Sequence, residues 1–181
     1  FKRNCNVVLA VEDSWMKIIL YFCFLYLKCK VFTIDCDNIN ENDLLFIKKL
    51  KPNFFFLEPI LLRNMDLSKV ITDKKSVFIS KLNNNIQNDF KTINFKKILT
   101  EIKTIKKPTL NFQFNFEYLL INSSGTSGKY KVIKHSSNNL VKASNVIIEK
   151  HNLSNTRLLS VFSMSYMAGI LNTIFVSFFS H

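Results

Sequence analysis

Leu119-Leu120-Ile121-Asn122-Ser123-Ser124-Gly125-Thr126-Ser127-Gly128-Lys129-Tyr130-Lys131 runs from an unbroken apolar segment into serines, a threonine and two glycines, and then into lysines at alternate positions. Glycines let a backbone turn its N–H groups toward an anion, hydroxyls add donors, and ammonium groups neutralise phosphate charge. Gly125 and Gly128 are two of only three glycines in 181 residues, so compositional drift does not account for two within four positions. The apolar part has the character of a buried strand, and the polar part has the composition of a loop that cradles phosphate.

The nearest general motif is the Walker A loop, which needs a glycine five positions before Gly-Lys and a Ser or Thr directly after the lysine. Those positions hold Ser123 and Tyr130, so that motif fails twice. The stretch resembles instead the phosphate loop of the adenylate-forming superfamily: acyl- and aryl-CoA synthetases, luciferases and the adenylation domains of peptide synthetases. That signature is an aliphatic residue, two free positions, two small residues, Gly, two Ser/Thr, Gly, a free position, usually Pro, then Lys. Leu120, Ser123, Ser124, Gly125, Thr126, Ser127, Gly128 and Lys131 meet it, and Tyr130 departs where proline is usual. Losing that proline frees an N–H and a fixed φ, which loosens the loop and leaves its charge pattern intact. A plain Ser/Gly linker would explain the glycines but not their pairing with flanking β and α patterns.

The resemblance implies an α/β fold, the layered parallel-sheet N-terminal subdomain of an adenylate-forming enzyme. It implies ATP as substrate, with Mg²⁺ bridging its phosphates, and a carboxylate that attacks the α-phosphorus to give an acyl-adenylate. Coenzyme A or a carrier protein would then accept the acyl group. In that reading Ser123, Ser124, Thr126 and Ser127 offer donors, Gly125 and Gly128 allow close approach, and Lys129 and Lys131 supply charge.

Working outward toward the N-terminus, Asn6 to Val11 reads as a buried strand, with Glu12, Asp13 and Ser14 suited to starting a helix. Trp15 to Leu27 is almost wholly apolar between Lys17 and Lys28, but its uninterrupted run is about half of the roughly 20 residues a membrane span needs. A buried helix fits it best, with a membrane-associated helix as the alternative. Val31 to Ile34 resumes as a strand and completes a β-α-β unit. Asp35 to Glu41 is a polar turn, Asp43 to Leu50 a short amphipathic helix and Phe54 to Leu57 another buried strand. This order is similar to the opening of the same family, although its members often carry Gly-Ala where Lys28-Cys29 stands. From Ile60 to Glu117 no chemistry is assigned. Ser76 to Ile79 suits a strand, Phe90 to Thr104 a charged helix or irregular segment, and Pro108 to Glu117 a connector.

Beyond the loop, Ser136 to Lys150 reads as a helix with a Ser/Asn-rich start. Family members frequently carry Thr-His at the positions of Ser136-Ser137, so that histidine is absent; His135 and His151 read as surface or capping residues. Leu158 to Met164 reads as a buried strand and Ile170 to Phe179 as the start of a helix. Between them, Tyr166 and Gly169 match a family motif in which an aromatic or histidine followed by glycine lines and gates the acyl pocket. Tyr166, Met167 and Gly169 are therefore the expected substrate-binding residues, with core packing as the competing account of Tyr166. The apolar Met164, Met167, Ala168 and Ile170 lean toward an apolar acyl or aryl acid.

The chain divides into a β-α-β opening (1–59), a Lys/Asn-rich connecting region (60–117) and a phosphate loop with helix and pocket motif (118–181). Together they read as a partial AMP-binding domain. Phe1 in place of an initiator Met, and an apolar run just before His181, make both ends read as cut. The family's catalytic residues would then lie beyond His181, and the 181-residue piece is expected not to adenylate by itself.

The formal charge of +12 raises nucleic acid or a membrane surface as partners, but only Arg3, Arg63 and Arg157 are arginines among 25 cations. Base reading and phosphate clamping favour arginine forks, so a solvated lysine surface is the simpler reading and no nucleic-acid partner is expected. A peripheral membrane contact stays open. Cys5, Cys23, Cys29 and Cys36 form no C-x-x-C pair, which points to neither a metal site nor a disulfide frame. No signal peptide is visible, and a reduced, cytoplasmic setting is the default. Two alternatives to an acyl-CoA synthetase stay open: an amino-acid-activating adenylation domain, and a non-catalytic basic α/β binding module.

Overall fold

The computed structural model describes residues 4–58, 61, 70–71, 77–79, 91–92, 115–123 and 131–180. Its frame is one seven-stranded sheet. In chain order the strands are β1 (Asn6–Ala10), β2 (Lys30–Thr33), β3 (Phe54–Leu57), β4 (Val77–Ile79), β5 (Lys91–Thr92), β6 (Glu117–Ser123) and β7 (Lys131–Ser136), placed across the sheet as β5-β4-β3-β1-β2-β6-β7. Every neighbouring pair is parallel except β6 with β7.

The sequence makes this sheet by putting β-branched and aromatic residues in short runs buried on both faces, as a parallel sheet requires. Val7 and Leu9 face one core with α1 (Trp15–Tyr26), whereas Val8 and Ala10 face a second core with α2 (Glu41–Leu50). From β1 the chain moves to β2 on one side, then crosses back over β1 to β3. With crossovers of one hand, that reversal puts α1 and α2 on opposite faces of the sheet. The α1 face is completed by α3 (Ser137–His151) and by a terminal helical stretch. That stretch consists of α4 (Met167–Gly169), a π-helical segment (Ile170–Phe175) and α5 (Val176–Phe179).

Capping chemistry fixes the helix limits. Asn40 and Asp43 form a reciprocal capping box at the start of α2, each side chain accepting from the other's backbone N–H. At the end of α1, Cys29 N–H donates to the Phe24 carbonyl and Lys28 N–H to that of Leu25, with Lys28 at φ 54°. This is the helix stop for which glycine is the usual choice.

In β6 the register is irregular between Glu117 and Leu119, so Tyr118 and Leu119 both reach the α1 core while Leu120 reaches the other. Tyr118 is fully buried, and its hydroxyl donates to the Tyr21 carbonyl oxygen at 2.6 Å.

The helix expected over Ser136 to Lys150 is present as α3, and before it Lys131–Ser136 forms an antiparallel edge strand that the sequence did not indicate, with Lys131, Ile133 and Lys134 exposed. Two expectations change. Within the segment expected to be helical or irregular, Lys91–Thr92 pairs in parallel with β4, and the rest lies outside the described residues. Leu158 to Met164 is not a buried strand. Leu159 is 89%, Val161 73% and Phe162 54% exposed. It lies along the terminal helix instead: the side-chain hydroxyls of Ser160 and Thr173 are 3.0 Å apart, and Gly169 lies directly against the Ser163 carbonyl. Leu159, Val161 and Phe162 therefore point outward, while Met164 at its end turns in against the α1 core. No helix among the described residues is long and apolar enough to cross a membrane.

Candidate functional site

β1, β2, β3 and β6 are mutually parallel, so their carboxyl ends share one edge of the sheet, where α/β folds present ligand sites. Glu12 and Asp13 follow β1, Asp35 follows β2, Glu58 follows β3, and Asn122 and Ser123 end β6. The middles of these strands are apolar, and the next polar side chains come at or just beyond their carboxyl ends.

The phosphate-loop candidates divide by position. Ser123 is the last residue of β6 and pairs across the hairpin with Lys131, the first of β7. Residues 124–130, which include Ser124, Gly125, Thr126, Ser127, Gly128 and Lys129, lie outside the described residues. The sheet thus brings the two ends of the loop together and holds them at its carboxyl edge. Asn122 strengthens that stem: its side-chain amide donates to Asp43 Oδ1 at 2.9 Å, and Asp43 is fully buried.

Tyr166 precedes α4 and is 44% exposed, which removes the core-packing account of it. Its hydroxyl donates to Asp35 Oδ2 at 3.2 Å. Burial and then the Asp35 charge raise the Tyr166 hydroxyl above its ordinary value. Burial alone would raise the Asp35 carboxyl. Hydrogen bonds from the Asn38 amide, the Asp37 N–H and Tyr166, with the nearby Lys17 charge, outweigh that and hold it below the usual aspartate range. Met164 and Met167 pack against the α1 core and Ile170 is fully buried within it, so these apolar residues contribute to packing first. Gly169 is buried where an added Cβ would lie 2.9 Å from the Phe162 carbonyl oxygen and closer still to Ser163.

Two participants escaped the sequence reading. Lys17, read as a bracket of the apolar run, is fully buried, and its ammonium donates to Asp13 Oδ1 at 2.8 Å and to Ser165 Oγ at 2.6 Å. The i, i+4 spacing of Asp13 and Lys17 was the available signal; nothing in the sequence announces Ser165. Asp43, expected to open the short helix, lies in its first turn two residues after Glu41, and its bond to Asn122 joins residues 79 positions apart.

Potential metal-ligand atoms of Asp35, Cys36 and Asp37 lie within 4.8 Å of one another. They belong to one turn, and burial, followed by the Asp37 charge, pushes the Cys36 thiol up to about 11. None of the four cysteines is joined in a disulfide. His135 lies on β7, and partial burial lowers its pKa. His151 ends α3 and is exposed.

No sequence-family model matches the chain. No curated protein matches it either. Solved structures do match in fold. ATP-bound MatB from Rhodopseudomonas palustris superposes with a TM-score of 0.71 at 15% identity, covering 99% of this chain and 34% of that one. An anthranilate CoA ligase, AuaEII, solved with anthranoyl-AMP, gives 0.72 at 14% identity, covering 97% and 34%. The A-PCP didomain of carboxylic acid reductase from Segniliparus rugosus, in complex with AMP, gives 0.71 at 12% identity, covering 97% and 28%. The chain therefore spans about a third of the length of the structures it resembles.

Proposed function

We propose, on the premise that this chain has the fold of the N-terminal part of adenylate-forming enzymes, that it belongs to an ATP-dependent carboxylate ligase and holds the triphosphate side of its site. The observation that carries the reading is the β6–β7 hairpin: the sheet's carboxyl edge presents the loop whose residues match the family's phosphate signature, with Ser123 and Lys131 closing its stem.

In this reading Ser123, Ser124, Gly125, Thr126, Ser127, Gly128, Lys129 and Lys131 hold the β- and γ-phosphates, with Mg²⁺ entering on the nucleotide. Fixing those phosphates orients the α-phosphorus for in-line attack by a carboxylate and leaves pyrophosphate as the departing group. Tyr166, with Met167 and Gly169, lines the side on which the acyl or aryl group enters. Transfer to coenzyme A or to a carrier protein completes the reaction in the whole protein, and the 181-residue piece alone does not turn over.

The test is carboxylate-dependent ATP–pyrophosphate exchange by the intact protein against a panel of aliphatic, aromatic and amino acids. Exchange with apolar acids that disappears on combining Thr126→Ala with Lys131→Ala supports the reading. An intact protein that exchanges with none of them, or whose exchange is indifferent to that pair, overturns it.

A further inference from the structure

We infer that Lys17 is the positioning residue of Tyr166, acting through Ser165. The lysine ammonium is enclosed where α1, the end of β2 and the segment before α4 meet. It donates to Asp13 Oδ1 and, across 148 positions of sequence, to Ser165 Oγ at 2.6 Å. Ser165 Oγ in turn donates to the Ile34 carbonyl oxygen at 3.3 Å, the residue directly before Asp35. The second oxygen of Asp13 accepts from the Met164 backbone N–H at 2.8 Å. One ion pair thus grips consecutive residues, Met164 by its backbone and Ser165 by its side chain, just ahead of Tyr166.

The local geometry passes that grip on. Ser165 N–H donates to Ser163 Oγ and Tyr166 N–H to the Ser163 carbonyl oxygen, a tight turn that leaves little freedom between Ser165 and the Tyr166 ring. The Tyr21 hydroxyl donates to the Met164 carbonyl oxygen at 2.8 Å from below. The ring is left half-exposed at the sheet's carboxyl edge with its hydroxyl on Asp35, which follows the same Ile34 that Ser165 holds.

A wholly buried lysine is costly unless its charge is answered, and an apolar residue of similar length would fill this place at less expense. The charge is retained here for a task that packing does not perform: it accepts one geometry of donors and acceptors and so fixes the register between the α1 start, Ile34 and the 163–166 turn. Tyr166 is held in this way whatever touches its ring, and its placement becomes substrate positioning only on the reading proposed above.

The experiment reads Tyr166 directly and needs neither nucleotide nor turnover, so it stands or falls separately from the ligase assignment. The intact protein is labelled with 3-fluorotyrosine, and the Tyr166 fluorine resonance is assigned by its loss in Tyr166→Phe. Asp35→Asn sets the reference, lowering the titration midpoint of the Tyr166 hydroxyl. Lys17→Met and Ser165→Ala are expected to shift the Tyr166 resonance, and the charge-neutral Ser165→Ala also to lower its titration midpoint, while the Tyr118 resonance, which reports the core, stays in place. If Lys17→Met also displaces Tyr118, Ser165→Ala, which keeps both charges and the packing, decides. A Tyr166 that titrates as in the unaltered protein in Ser165→Ala, or whose resonance is unmoved in a folded Lys17→Met, overturns the inference, as does a Tyr166 midpoint indifferent to Asp35→Asn.

Discussion

Asn122 and Asp43 are joined by a hydrogen bond of 2.9 Å that ties the end of β6 to the first turn of α2. Asp43 closes the α2 capping box with one oxygen and receives the Asn122 amide on the other. One buried carboxylate therefore serves both the start of a helix and the stem of the candidate phosphate loop.

Asn122→Ala is expected to cost about 1 kcal/mol of stability, the usual worth of one internal hydrogen bond, and to weaken nucleotide binding. Asp43→Ala removes the cap as well and should cost about 2–3 kcal/mol. Urea unfolding of both variants beside the unaltered protein checks the order; equal costs would mean that the Asn122 bond and the cap are not separate contributions.

Gly169→Ala is expected to destabilise by about 1–3 kcal/mol, as overpacking of a tight contact does. The new methyl would lie 2.6 Å from the Ser163 carbonyl carbon and 2.9 Å from the Phe162 oxygen, and both are backbone atoms that cannot turn aside. Thermal unfolding measures it, and an unchanged melting temperature would show that the 158–164 segment is not held against the helix.

Lys28→Gly should stabilise by about 1 kcal/mol, because Lys28 occupies the left-handed region at φ 54° in the stop of α1, where a Cβ is a burden. This is the position at which the family resemblance called for glycine. A rise in the urea midpoint with unchanged slope is the expected result.

Stability should also fall in mild acid through His135. Burial lowers its folded pKa below the ordinary 6.5, so the unfolded chain binds the proton more readily. The contribution is fully present above that ordinary value and is lost as pH falls through the folded value. His135→Gln should flatten the decline in unfolding free energy as pH falls below the ordinary histidine value of about 6.5. An identical pH profile would remove His135 from the account.

How much of this was legible in the sequence depends on which side chains each element buries. β1, β2, β3 and α1 were visible because sheet strands covered on both faces, and the helix that covers them, write themselves as apolar runs. β7 was not, because an edge strand of Lys-Val-Ile-Lys-His-Ser carries charge on its open side and lacks a buried alternation. Leu158 to Met164 misled for the opposite reason: its apolar run is real, but it lies along the terminal helix instead of in the sheet, with Leu159, Val161 and Phe162 facing outward. The loop signature stands out as a motif because its residues are contiguous, and the structure describes only its two ends, Ser123 and Lys131. The lysine network was not, since Lys17 meets Ser165 only through the fold.

The central claim is that the loop between Ser123 and Lys131 holds the phosphates of ATP, and the affinity of the intact protein for ATP and for AMP, measured side by side by calorimetry, tests it most directly. The account predicts that ATP binds more tightly than AMP. It also predicts that Thr126→Ala with Lys131→Ala brings ATP down toward AMP, a loss of roughly 10- to 100-fold for charge-assisted bonds, with AMP little changed. Equal affinity for the two nucleotides in the unaltered protein, or an ATP affinity that survives the double substitution, would contradict it.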